Sequence, residues 1–89
     1  MQTNFLLGSI EMTVDAHKTL KRLPYDLIAR HAINDHGLIT DQERQQNALS
    51  MRIIGPIVSR YIADPTDPTS PHVRIETDRL WGSTVVSLE

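Results

Sequence analysis

Apolar and polar positions alternate from Ser9 to Asp15, with Ile10, Met12 and Val14 on one side and Glu11, Thr13 and Asp15 on the other. A period of two predicts a half-buried strand. The next segment, Ala16 to Leu23, carries Lys18, Lys21 and Arg22 and stops before Pro24, which disfavours helical geometry at Leu23 and suits the first turn of a new helix. From about Pro24 to His36 the pattern becomes helical. Leu27, Ile28, Ala32 and Ile33 form a stripe, Asp26 lies in the positive first turn, and Gly37 is placed as a left-handed terminator.

Thr40-Asp41-Gln42-Glu43 matches a capping box, so a second helix is expected to start at Asp41. Ala48, Met51, Gly55, Val58 and Ile62 recur at three-to-four spacing with Leu49, Ile53 and Ile57 beside them, which predicts one long helix to Ile62. Gly55-Pro56 should kink it, because proline removes a backbone donor and crowds the preceding turn. Asp64 to Pro71 holds three prolines and reads as a stiff connection. His72 to Thr77 and Ser83 to Leu88 are alternating or β-branched and predict a hairpin. The expected fold is one small α+β domain over residues 1–89, in β-α-α-β-β order, with a long kinked central helix and a small antiparallel sheet completed by the first strand.

Composition narrows the function more than it identifies it. A chain of 89 residues buries only about 60–65% of its unfolded surface and has a thin stability margin. Without cysteine there is no disulfide framework, thiolate nucleophile or Cys-based zinc site, and a reducing cytoplasm is the expected compartment. The formal charge of −2 gives no general attraction to phosphate or anionic lipid. The apolar run Phe5 to Ile10 is much shorter than a membrane span. No Gly-x-Ser-x-Gly elbow, Gly-rich phosphate loop or Walker lysine occurs, so the chain is expected not to be an enzyme and to need no cofactor.

The densest cluster of candidate chemistry is HAINDHGLITDQE, His31 to Glu43. His31 and Asp35 share a helical face if the helix reaches that far, and the carboxylate could accept from the imidazole, yet two ligands do not make a metal site. Asn34 to Gly37 suit the end of one helix and Thr40 to Glu43 the start of the next, so the stretch reads as a joint.

Two interaction readings follow. The first is a small regulator or inhibitor that binds another protein, of the kind found as accessory proteins of phages, plasmids and bacterial operons, or pairs with itself. Its contacts would be Trp81, Arg79, Ile54, Tyr61 and Arg74, with the hairpin edge free to pair across a two-fold axis. In it Trp81 is either a core lid or a displayed anchor, and the apolar surplus at Ile53, Ile54, Ile57 and Val58 exceeds what one small sheet covers. The second is a winged-helix DNA binder using Lys18, Lys21, Arg22, Arg44 and Arg52, with Arg74 or Arg79 on the wing. The element order, with an apolar N-terminus, basic helix, long helix and terminal strands, is loosely similar to the topological specificity factor of the bacterial Min division system. No diagnostic motif of that family is matched, and no residue role follows.

Overall fold

The computed structural model describes residues 4–89. They form an α+β domain with the elements β1 (Ser9–Met12), α1 (Val14–Leu20), α2 (Tyr25–Ala32), α3 (Asp41–Ile53), β2 (Ile57–Ile62), β3 (His72–Thr77) and β4 (Ser83–Leu88), with a 3₁₀ turn at Arg79–Trp81. The four strands make one sheet in the order β1-β4-β3-β2. The β2–β3 and β3–β4 pairs are antiparallel, whereas β1 runs parallel to β4, so the sheet is mixed and not purely antiparallel.

The two C-terminal strands have the expected bounds, and the capping box is formed: Glu43 N–H donates to Thr40 Oγ1 at 3.1 Å and Thr40 N–H donates to Glu43 Oε1 at 3.0 Å. The helix it starts is shorter than expected. α3 ends at Ile53, and Ile57–Ile62 is a strand, so there is no long kinked helix. Pro56 cannot donate the helical bond, Ile54 takes a left-handed conformation, and Ile57-Val58-Ser59-Arg60-Tyr61-Ile62 alternates buried and half-buried residues as a strand requires. The similarity of element order to the Min factor, which rested on that helix, goes with it. The basic segment is a helix of its own: Thr13 Oγ1 caps it by accepting from Ala16 N–H, and left-handed Lys21 ends it.

α2 also stops early, at Ala32, and Asn34 (φ 64°) supplies the left-handed turn there. Gly37 (φ 69°) has a different task. It crosses β2 so closely that a Cβ would lie 2.2 Å from the Arg60 carbonyl oxygen, and the chain here adds a short parallel bridge: Arg60 N–H donates to the His36 carbonyl and Leu38 N–H to the Arg60 carbonyl.

One face of the sheet is the core. Leu27 and Ile28 of α2 pack on Tyr61, Val73, Ile75 and Val86, with Leu7, Met12, Leu20, Leu23, Ala63 and Leu88 around them. Each such large side chain contributes roughly 1.5–3 kcal/mol on burial, and α2 therefore carries much of the fold. The opposite face, with Glu11, Val85, Glu76 and Val58 in one cross-strand row and Ser87, Arg74 and Arg60 in the next, is mostly polar and half-buried, with Glu11 exposed. α1 packs against β4 and α3 against β2.

The two sheet edges are treated differently. At β2 the Asn47 side chain of α3 acts as a substitute strand, its Nδ2 donating to the Val58 carbonyl at 2.8 Å and its Oδ1 accepting from Val58 N–H at 3.0 Å. With the His36–Leu38 bridge, this satisfies the outward backbone groups of Val58 and Arg60. An isolated edge is a template for unwanted pairing, and this one is covered over Val58 and Arg60.

Candidate interaction surface and the polar network beneath it

Inward positions on three strands carry hydroxyls where apolar side chains would be expected: Ser59, Thr77 and Thr84, all fully buried. They are joined by His31 of α2, also fully buried, into one chain of hydrogen bonds whose direction is fixed from one end. Thr84 Oγ1 donates to the Leu7 carbonyl at 2.7 Å, so it accepts from Thr77 Oγ1 at 2.6 Å. Thr77 in turn accepts from His31 Nε2–H at 2.9 Å. His31 Nδ1 then carries the lone pair and accepts from Ser59 Oγ at 2.6 Å, and Ser59 accepts from His36 Nδ1–H at 2.7 Å. The donor count leaves His31 neutral in its Nε2–H tautomer and places a proton on His36 Nδ1.

His31 is held to about 3 by burial, with the neighbouring His36 adding to the effect. Phe5 stands edge-on to its ring at a centroid distance of 5.1 Å. His36 is half-buried and also lowered, chiefly by burial, with Asp35 opposing and Arg44 reinforcing the shift. Asp35 does not meet His31: it forms an ion pair with Arg30 at 2.8 Å. Ser59, buried and committed at both ends, is a structural node joining α2, β2 and the loop at His36. Among the described residues no group of three or more His, Asp or Glu side chains is arranged to hold a metal ion.

The 3₁₀ turn between β3 and β4 gives the clearest outward-facing feature. Asp78 fixes its base, accepting from Gly82 N–H at 2.8 Å and from Ser83 N–H at 3.0 Å. Leu80 (φ 71°) and Trp81 (φ 56°) both adopt left-handed backbone, as does Ile54 (φ 56°) at the end of α3. Such a conformation costs an L-residue roughly 1–2 kcal/mol, and a β-branched side chain is an especially poor occupant. The strained turns are joined: Leu80 N–H donates to the Ile54 carbonyl at 2.8 Å and Trp81 Nε1–H to the Gly55 carbonyl at 2.9 Å. The result displays Leu80 (68% exposed), Ile53 (60%) and Ile54 (44%), with Leu49 one helical turn before Ile53. Arg52 and Arg79 flank them, and neither forms an ion pair among the described residues.

The partner-binding residues expected from the sequence separate into two groups. Ile54 and Arg79 lie on this patch. Trp81 lies beneath it as a half-buried lid, its ring 5.7 Å from that of Phe5, and is not a displayed anchor. Tyr61 is 1% exposed: its hydroxyl donates to the Asp35 carbonyl at 2.7 Å and Arg30 covers its ring, so it belongs to the core and not to an exposed surface. The reason is its place in β2 and not at the end of a helix. Arg74 lies on the polar sheet face, paired with Glu76 at 2.7 Å, away from the patch. The hairpin edge proposed for two-fold pairing does not exist, because β3 and β4 occupy the middle of the sheet and both are paired on both sides.

The expected nucleic-acid cations are likewise divided. Lys18 is on α1, which packs against β4, with Lys21 and Arg22 just after it; Arg44 and Arg52 are on α3, which packs against β2 at the opposite edge. Arg44 faces Asp41 at 3.8 Å. The hairpin that would serve as the wing is built into the sheet. No family model, curated protein or solved structure matches the chain. Among the described residues no helix is long and apolar enough to cross a membrane.

Proposed function

We propose that the chain is a small non-enzymatic regulatory or inhibitory protein that acts by binding another protein through the Leu49, Ile53, Ile54 and Leu80 patch. The observation that supports this reading is the pair of strained turns at Ile54 and Leu80-Trp81, tied together by hydrogen bonds and presenting aliphatic side chains to solvent. Strain is retained where the surrounding structure holds it for a purpose, and exposed aliphatic side chains grouped on a firm base suit a partner surface better than they suit water. Arg52 and Arg79 at the rim favour a partner segment with carboxylates beside its apolar contacts.

The test is affinity capture with wild-type protein and with a Leu80→Ser, Arg79→Glu variant, both checked for unchanged circular dichroism and melting temperature. A protein retained by the wild type and lost from the variant is the expected result. Identical retained proteins, or none, would remove the patch as the binding surface.

A further inference from the structure

The second sheet edge carries an inference that rests on the reading of the chain as a protein binder but uses a different surface. Ser9 N–H donates to the Gly82 carbonyl at 3.1 Å and Thr13 N–H to the Val86 carbonyl at 2.9 Å. By the alternation of a parallel ladder, Ser9, Glu11 and Thr13 address β4. The amides and carbonyls of Ile10 and Met12 therefore point away from the sheet, with no partner among the described residues. Ser9, Ile10 and Glu11 are exposed. Leu6 (68%) and Val14 (69%) extend the apolar rim beyond Ile10. At β2, by contrast, Asn47 and the His36–Leu38 bridge take up the outward groups of Val58 and Arg60.

Self-pairing fits this edge poorly. A two-fold antiparallel pair that uses both outward residues sets Ile10 against Met12 of the second copy and places Glu11 directly across from Glu11, with Cβ atoms about 5 Å apart. Moving the axis to Ile10 sets Met12 against Gly8, whose φ of 64° is outside strand geometry, and moving it to Met12 sets Ile10 against Val14, which is in α1. Glu11 and Asp15 are both exposed and form no ion pair among the described residues.

We propose that β1 receives an extended strand from a different protein, in which basic side chains on the Glu11 side alternate with apolar ones on the Ile10 and Met12 side. Main-chain bonds to Ile10 and Met12 supply the pairing, and exposed Glu11 selects the cationic alternation.

The experiment is a titration of isotope-labelled protein, followed by amide resonances, with an acetylated six-residue peptide of alternating valine and lysine. Saturable shifts and slowed hydrogen exchange at Ile10 and Met12 are expected. A valine–glutamate peptide should bind about fivefold more weakly, and Glu11→Lys should reverse that preference. Methylating alternate backbone nitrogens of the peptide should abolish the effect. Shifts centred on Ile54 and Leu80, equal binding of both peptides, or no saturation at millimolar peptide would overturn the proposal. So would a wild-type dimer in sedimentation equilibrium with protected Ile10 and Met12 amides, which would assign the edge to a second copy. Because Leu80→Ser leaves β1 intact, it should not alter this titration, so the two surfaces fail or stand separately.

Discussion

Acidification from pH 7 should destabilise this fold through His31 before it weakens the Glu43–Arg60 ion pair. In the unfolded chain the imidazole takes a proton around pH 6.5, whereas in the folded protein it is held to about 3 by burial. Between those values the unfolded state binds one more proton, and stability falls as pH falls by roughly 1.4 kcal/mol per unit. From pH 7 to pH 5 the loss is about 2 kcal/mol, a large fraction of the roughly 5–10 kcal/mol a domain of this size has. His36, lowered for the same reason, adds to it in the same direction. Glu43, held to about 2 by Arg60 and the Thr40 backbone amide, loses its contribution only as pH falls below its ordinary value of 4.5, so it leaves the slope between pH 7 and 5 to the histidines. The assay is urea unfolding followed by Trp81 fluorescence at pH 7, 6 and 5. His31→Gln keeps a donor for Thr77 and an acceptor for Ser59 without titrating, and should flatten most of the slope. A wild-type stability unchanged between pH 7 and 5, or a slope undiminished in His31→Gln, would refute the assignment of a buried neutral imidazole.

Three further substitutions probe the elements that position the surfaces. Gly37→Ala should cost about 3 kcal/mol or more in urea unfolding, since its Cβ would meet the Arg60 carbonyl at 2.2 Å in a left-handed conformation. Asn47→Ala leaves the Val58 amide and carbonyl without partners and should cost about 2–3 kcal/mol, with concentration-dependent association visible by light scattering as the β2 edge opens. Ile54→Gly should raise stability by about 0.5 to 1 kcal/mol by relieving the left-handed isoleucine, while weakening capture of any partner held by the patch.

What was legible in the sequence was local. The hairpin strands and the capping box are set by residues within a few positions of one another, and both were found where expected. Val58 and Ile62 fit a helical spacing as well as they fit alternation, so residues 57–62 are ambiguous in sequence, and what decides for a strand is that Gly55-Pro56 ends α3 and does not bend it. The parallel pairing of β1 with β4 joins segments more than seventy positions apart, and nothing in either strand names the other. The histidine network left one readable signal: Ser59, Thr77 and Thr84 occupy inward positions of their strands, and a buried hydroxyl requires a partner. His31 supplies it, so the histidine-rich stretch is a joint, as its capping residues suggested, and is also the polar centre of the core.

The distribution of local conflict separates what the chain needs for folding from what it needs for contact. At β2 every irregular feature resolves a structural demand: Gly37 permits the close crossing, and Asn47 replaces a missing strand. At Ile54, Leu80 and Trp81 the sequence keeps side chains where glycine or asparagine would relieve the backbone, and it holds them with two hydrogen bonds that couple one strained turn to the other. At Ile54 and Leu80 folding alone would favour the relieved residues, because the Leu80 N–H bond and the Trp81 indole bond to the Gly55 carbonyl do not depend on the exposed aliphatic side chains. Retained strain with exposed aliphatic groups is therefore better accounted for by what the surface meets than by what lies beneath it. The same reasoning applies to β1, whose outward groups at Ile10 and Met12 meet no counterpart of the Asn47 side chain or the His36–Leu38 bridge among the described residues.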